Sequence, residues 1–287
     1  MDRTDHMDRM DRMDACRKFF ADLVTAHAGV AADSELTAAF ASTPREQFVG
    51  KPPWRVFTST GYISTPSDDP AFLYQDVVVS LGGRGGLNNG QPSLHALCLA
   101  ALAPQKGETV VHVGAGTGYY STLLAKLVGQ VGSVIAYEID GELAQRAVAN
   151  LLGFPQVTVH LQSGAEGPIP ECDVLYVNAG ATSPLPVWLD ALRPSGRLLF
   201  PLTGEEGSGG MLLVTKHGDD SFAARFLCQV QFVPCEGARD ESTTRKLSAA
   251  FRRGSWSRVK ELHRGDAPRE NCWYSGAGWW LSTGVDM

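Results

Sequence analysis

The chain has 287 residues, 44% apolar and 20% charged, which suffices for one large hydrophobic core or for one core with a small appendage. Its formal net charge of −6 argues against a surface built wholly for nucleic acid, which needs many Lys and Arg facing phosphates. Six scattered cysteines lack metal-ligand or redox spacing, and no apolar run approaches ~18 residues, so a reduced, cytoplasmic protein without membrane span or metal centre is expected.

Residues 1–14 repeat Met-Asp-Arg at Met1, Met7 and Met10, with Met-Asp again at Met13, and read as a low-complexity tail or an over-extended start. Residues 15–92 combine N-terminal helices with a substrate loop. Phe19, Phe20, Leu23 and Val24, then Leu36, Ala39 and Phe40, recur at helical spacing. Pro52, Pro53, Pro66, Pro70 and Pro92, with a glycine-rich run from Gly82 to Gly90, then demand turns and irregular chain.

Residues 93–236 read as the catalytic core. Apolar, β-rich runs at 109–113, 133–137, 157–161, 174–178 and 197–202 alternate with helical stretches at 119–128, 141–152 and 186–192. Two further strands, 211–216 and 225–233, flank a turn at Gly218-Asp219-Asp220. The pattern predicts an α/β, Rossmann-like fold: a doubly wound, mostly parallel, seven-stranded sheet with a terminal antiparallel hairpin. Residues 237–287 form a C-terminal extension. Within it, 239–270 carries nine Arg or Lys against five acids, read first as a solvated face and second as a docking surface for an acidic partner. Trp273, Tyr274, Trp279 and Trp280 are expected to pack on the body.

The most informative motif is Val110-Val111-His112-Val113-Gly114-Ala115-Gly116-Thr117-Gly118-Tyr119, a strand entering a GxGxG turn and then a helix. Glycines there let backbone approach a ligand and expose amides at a helix start. A second strand ends in Glu138, twenty residues after Gly118, where a carboxylate can accept ribose hydroxyls. A dinucleotide fingerprint carries a third glycine one residue later, where Tyr119 stands, so S-adenosylmethionine is favoured over NAD.

The ordered series Pro44-Arg45-Glu46-Gln47-Phe48-Val49, Tyr74-Gln75-Asp76, Gly90-Gln91-Pro92-Ser93-Leu94-His95-Ala96, the glycine motif, Val177-Asn178-Ala179-Gly180-Ala181 and Leu192 to Leu198 resembles the protein-L-isoaspartate O-methyltransferases. The resemblance runs from about Thr43 to Glu236. It implies methyl transfer from S-adenosylmethionine to a free carboxylate of a protein or peptide. It also implies that Gly114, Ala115, Gly116 and Gly118 line the methionine part of the cofactor, that Glu138 and Ile139 hold the ribose and flank the adenine, and that Ser163-Gly164 lies near the adenine. Ser163 stands where the family usually has Asp. The segment Leu87-Asn88-Asn89-Gly90, with His95 on the following helix, matches the family's segment that closes over the cofactor and receives the substrate.

Gly90 replaces a family serine whose hydroxyl faces the reacting carboxylate. Asn88, Asn89 and the backbone amides beside Gly90 are the expected substitute donors, and Asp76 and His95 are the candidate bases should the acceptor need one. Two alternatives stay open: a related methyltransferase for another peptide side chain or a small molecule, because of Gly90, and a cofactor-binding protein without catalysis.

Overall fold

The computed structural model describes residues 3–83, 86–218, 220–265 and 270–284, with side chains from residue 11 onward. Arg84, Gly85, Asp219, Asp266 and Arg269, which belong to the loop, turn and basic segment read above, lie outside the described residues.

The N-terminal layer starts earlier than the repeat suggested. Helix α1 spans Arg3–Ala26, through the stretch read as a tail. This run contains no glycine or proline to break the helix, Met13 is buried, and Arg12 pairs with Asp69 at 2.7 Å. Helix α2 (Glu35–Ala41) begins where the Ser34 hydroxyl accepts the Thr37 N–H at 3.1 Å. Its Phe40 and Phe20 of α1 meet edge to face at 6.2 Å and turn toward the sheet's first helical layer. A short antiparallel pair, β1 (Arg55–Thr58) and β2 (Gly61–Ser64), then leads to α3 (Pro92–Leu102).

The core alternates as its periodicity predicts: β3 (Thr109–Val113), α4 (Tyr119–Val128), β4 (Ser133–Glu138), α5 (Gly141–Asn150), β5 (Val157–Leu161), β6 (Cys172–Val177), α6 (Pro186–Asp190) and β7 (Leu192–Thr203). Strands β8 (Ser208–Lys216) and β9 (Phe222–Gln231) run antiparallel to β7 and to each other. These strands match the predicted parallel sheet and its reversed hairpin.

Among the described residues the sheet nevertheless has ten strands rather than seven. After α7 (Glu241–Arg253), strands β10 (Val259–Arg264), β11 (Cys272–Gly276) and β12 (Trp279–Thr283) extend it, in the order β11-β12-β10-β9-β8-β7-β6-β3-β4-β5. Strand β10 pairs with the start of β9, Leu262 opposite Phe222 and Glu261 opposite Ala223, and so covers that end of an edge that would otherwise be open. The extension also shares the core of the catalytic sheet: Leu247, Ala250, Leu262, Trp273, Tyr274, Trp279 and Leu281 pack in one cluster with Leu212, Phe222 and Phe226. The expected burial of the terminal aromatics therefore holds. Much of the basic segment knits this unit together. Arg239 donates to Gly180 O, Thr203 Oγ1 and Gly204 O, Arg264 pairs with Asp190 at 2.6 Å, and Arg253 donates to Trp273 O. Among the described residues, no helix is long and apolar enough to cross a membrane.

Because the extension completes a shared core, truncation after Glu236 should lower the unfolding free energy measured in urea by several kcal/mol, with a lower midpoint, or abolish cooperative unfolding. A truncated chain that melts at the full-length midpoint would show that the extension folds as an independent unit.

Candidate active site

The strand order reverses between β3 and β6: the chain moves from β3 outward to β4 and β5, then returns to place β6 on the other side of β3. In open α/β sheets a ligand crevice opens at that point, beyond the carboxyl ends of the strands. Gly114 follows β3 there, Asn178 follows β6, Glu138 ends β4, and Ser163 follows β5.

The glycine turn is shaped by close packing. Gly118 has φ +90, and a Cβ on it would stand 2.9 Å from Leu151 Cδ1, so α4 and the residue after α5 meet only because position 118 is bare. Glu138 is buried, with one carboxylate oxygen accepting the Gly116 N–H at 2.6 Å and the other the Asp140 N–H at 2.9 Å. Burial pushes its pKa up, and these backbone donors oppose the rise. Each oxygen keeps a lone pair for a ligand hydroxyl. Ile139 beside it is 49% exposed, an apolar surface at the crevice mouth. Gly164 is bare because Val113 Cγ2 would lie 2.6 Å from a Cβ, while the Ser163 hydroxyl accepts the Ala165 N–H at 3.1 Å. These residues fit a nucleoside: a carboxylate for vicinal hydroxyls at β4, and an apolar wall with a hydroxyl toward β5.

The other wall is the loop before α3. Arg45 is fully buried, and its guanidinium donates to the carbonyls of Leu73, Gln75 and Val77. Asp76 sits inside that clamped segment. Its carboxylate accepts from the Ser93 N–H (2.8 Å), the Ser93 hydroxyl (2.6 Å) and the Gln91 amide (2.8 Å), so it caps α3. These contacts tie the carboxylate to the start of α3. Asn89 locks the loop, its Oδ1 accepting the Val79 N–H at 2.8 Å, and Asn88 Oδ1 accepts the Gly90 N–H at 2.9 Å while its amide donates to Gly86 O. Of the expected anion donors, the Gly90 N–H and one of the two Asn88 amide hydrogens are thus used inside the loop.

Gly90 and His95 are reciprocal. A Cβ on Gly90 would lie 2.1 Å from His95 Nε2, and Gly90 has φ +70. The imidazole occupies the space where a residue-90 side chain would begin. His95 is buried, stacks on Tyr120 at 3.6 Å between ring centres, and meets the Tyr176 hydroxyl through Nδ1 at 2.6 Å. A polar row that the sequence reading did not single out continues from there. Tyr176 stacks on His112 at 5.5 Å, His112 Nδ1 meets Ser121 Oγ at 2.8 Å, and His112 Nε2 meets the Asn178 amide nitrogen at 2.7 Å. Burial pushes both His95 and His112 down to about 3, so both rings are uncharged at neutral pH. His112 lies inside the quoted glycine motif. The sole sequence signal for the row is a polar residue in an otherwise apolar strand.

Comparison with known proteins agrees with this geometry. The family profile for protein-L-isoaspartate(D-aspartate) O-methyltransferase matches residues 20–240. The chain belongs to this family. It is 32% identical over 211 residues to a protein-L-isoaspartate O-methyltransferase of Roseiflexus sp. strain RS-1, covering 71% of this chain and 85% of that one. It is 31% identical over 211 residues to the enzyme of that name from Rhodopseudomonas palustris, covering 72% and 87%. A solved protein-L-isoaspartate O-methyltransferase superimposes with a TM-score of 0.66 at 18% identity, over 94% of this chain and 88% of that one, a likeness of fold. As a family member the protein is an S-adenosylmethionine-dependent carboxyl O-methyltransferase.

Two outcomes follow from the site. Gly90→Ser places a side chain in the left-handed region and against an imidazole, so it should lower the melting temperature and the methylation rate together; an unchanged melting curve would contradict the reciprocity of Gly90 and His95. The histidines also set a pH limit. In the unfolded chain they take protons below about 6.5, whereas the folded protein resists protonation down to about 3. Stability should be complete above pH 6.5 and fall as pH drops below it, by up to about tenfold in the folding constant per pH unit for each histidine. Urea titrations at pH 7.5 and 5.5 read this, and His112→Gln should flatten the dependence.

Proposed function

We propose that the protein methylates a carboxylate of a peptide or protein, held in the crevice between the glycine turn and the loop that ends at Gly90. The observation that carries this reading is the state of the titratable groups around the crevice. Asp76 is committed to capping α3, Glu138 to the turn amides, and His95 and His112 are uncharged and engaged in the polar row. None of the four stands ready to remove a proton, and a carboxylate acceptor needs none removed, because with a pKa of about 4 it is ionised at pH 7. An amine acceptor would need a base.

S-adenosylmethionine, when bound, supplies a sulfonium methyl group whose C–S bond breaks as a carboxylate oxygen takes the methyl. The residues of this chain do the rest by alignment and by exclusion of water. In this reading Glu138 holds the ribose, with Ile139 and Ser163-Gly164 beside the adenine, and Gly114, Ala115, Gly116 and Gly118 let the backbone come close. Asn89 keeps the loop in place over the turn, where Leu81 lies 3.7 Å from the side-chain position of Gly116. Isoaspartyl residues are the acceptor to test first, because the family relatives carry that name. Gly90 favours a second reading, another peptide side chain or a small molecule, since the position is filled here by a neighbouring imidazole. All six cysteines are free, which suits the cytoplasm.

Incubation with methyl-labelled cofactor and an isoaspartyl peptide should yield a base-labile ester, at a rate little changed from pH 6 to 8. A base-stable product, or a rate climbing steeply with pH, would instead identify an acceptor that must lose a proton. Glu138→Ala should weaken S-adenosylhomocysteine binding in calorimetry about ten- to a hundredfold, the loss of hydrogen bonds to a charged group.

A further inference from the structure

The polar row ends in an unmet hydrogen bond. Asn178 Oδ1 is buried without a hydrogen-bond partner, and the cost of leaving such an acceptor bare is comparable to a lost hydrogen bond. The amide is not free to turn away from this position. Its nitrogen is tied to His112 Nε2 at 2.7 Å, and the other ring nitrogen of His112 is tied to Ser121 Oγ at 2.8 Å. Both His112 and Ser121 are fully buried, and the imidazole is held flat against Tyr176. An uncharged His112 that keeps its hydrogen on Nδ1 accepts from the Asn178 amide at Nε2, which leaves Oδ1 as the end of the amide without a partner.

The place of this oxygen follows from strand register. His112 pairs with Tyr176 and Val113 with Val177, so Gly114 and Asn178 come next, side by side at the reversal point. The Asn178 N–H donates to Val113 O at 2.8 Å, and a Cβ on Gly114 would lie 3.4–3.6 Å from Asn178 atoms. A nucleoside whose ribose is held by Glu138 at β4 and whose base lies toward β5 must send its 5′ substituent the other way along the row of strand ends, across β3 to β6. The 5′ substituent of S-adenosylmethionine is an amino acid, and its α-ammonium is a charged donor.

We propose that Asn178 Oδ1 receives the α-ammonium of the cofactor, with His112 and Ser121 as the positioning residues that hold the amide in that orientation. The orphaned acceptor is satisfied only in the loaded protein, so the contact selects ligands that carry the amino group. This inference rests on S-adenosylmethionine being the cofactor, and it adds a binding residue on β6 to those on β3, β4 and β5.

Three ligands separate this contact from general packing: S-adenosylhomocysteine, its deaminated analogue that keeps the carboxylate, and 5′-methylthioadenosine, which lacks the amino-acid end. By calorimetry Asn178→Ala should weaken S-adenosylhomocysteine about ten- to a hundredfold and leave the other two within about twofold of wild type. His112→Leu should show the same ligand selectivity with a smaller loss, because it frees the amide without removing it. Unchanged 5′-methylthioadenosine binding doubles as the check that each variant is folded. Equal losses for all three ligands, or none, would overturn the proposal. A loss shared by the deaminated analogue would also overturn it, since the contact would then be to the carboxylate. A wild type that binds none of the three overturns the cofactor assignment itself.

Discussion

One buried guanidinium decides where the active-site loop lies. Among the described residues Arg45 has no carboxylate partner; its two terminal nitrogens donate to three carbonyls spaced two residues apart, those of Leu73, Gln75 and Val77, its Nε is left without a partner, and its face rests 5.0 Å from the centre of the Phe20 ring. Hydrogen bonds to a charged group are worth more than neutral ones, and a buried Arg whose acceptors moved would be left costly and bare. The segment 73–77 is therefore fixed in place, and the Asp76 side chain projects from it to seize the first turn of α3. Helix α3 in turn delivers His95 to Gly90 and Tyr176. A charge read in sequence only as part of a family motif is thus the first link of a chain that ends at the crevice.

The sheet supplies the second constraint. Its reversal point sets Gly114 beside Asn178, and register then forces His112 beside Tyr176, so the floor of the crevice on that face is polar and aromatic rather than aliphatic. A dry, polar floor has consequences for chemistry. The imidazoles are uncharged because they are buried, and uncharged rings beside the crevice add no cation and take no proton at neutral pH. Catalysis in such a site depends on a nucleophile that arrives ionised, which is what a carboxylate offers.

Much of this was legible in the sequence, and the pattern of success is physical. Elements bounded by glycine, proline or a cap were read to the residue: 109–113, 119–128 and 157–161 coincide with β3, α4 and β5. The glycine turn and Glu138 were legible because their spacing is local and their chemistry is specific. Strands β10 to β12 were not, because they are five or six residues long and their membership of the sheet depends on β9, some thirty residues upstream of β10. The N-terminal repeat looked unable to fold because its composition is polar, yet a helix without breakers can be held by its far end, where Phe20, Ala21 and Val24 are fully buried. The polar row was illegible for another reason. His95, His112, Ser121, Tyr176 and Asn178 come from four elements and the residue after one of them, and no one-dimensional period connects them.

Gly90 shows how a departure from a family pattern can mislead when it is read alone. Taken as one position, it is a missing hydroxyl, and the natural inference is a weakened site whose repair would be a serine. Taken with His95, it is one half of a steric exchange, in which an imidazole from α3 fills the volume that a side chain would claim and presents a nitrogen there. The two positions then constrain each other. A side chain at 90 must displace the ring, and displacing the ring breaks its stack on Tyr120 and its hydrogen bond to Tyr176, which itself lies against His112. The cost of restoring the family residue therefore spreads along the polar row to the neighbour of Gly114, and the site must be understood as a coupled set of residues rather than as a family template with one part absent.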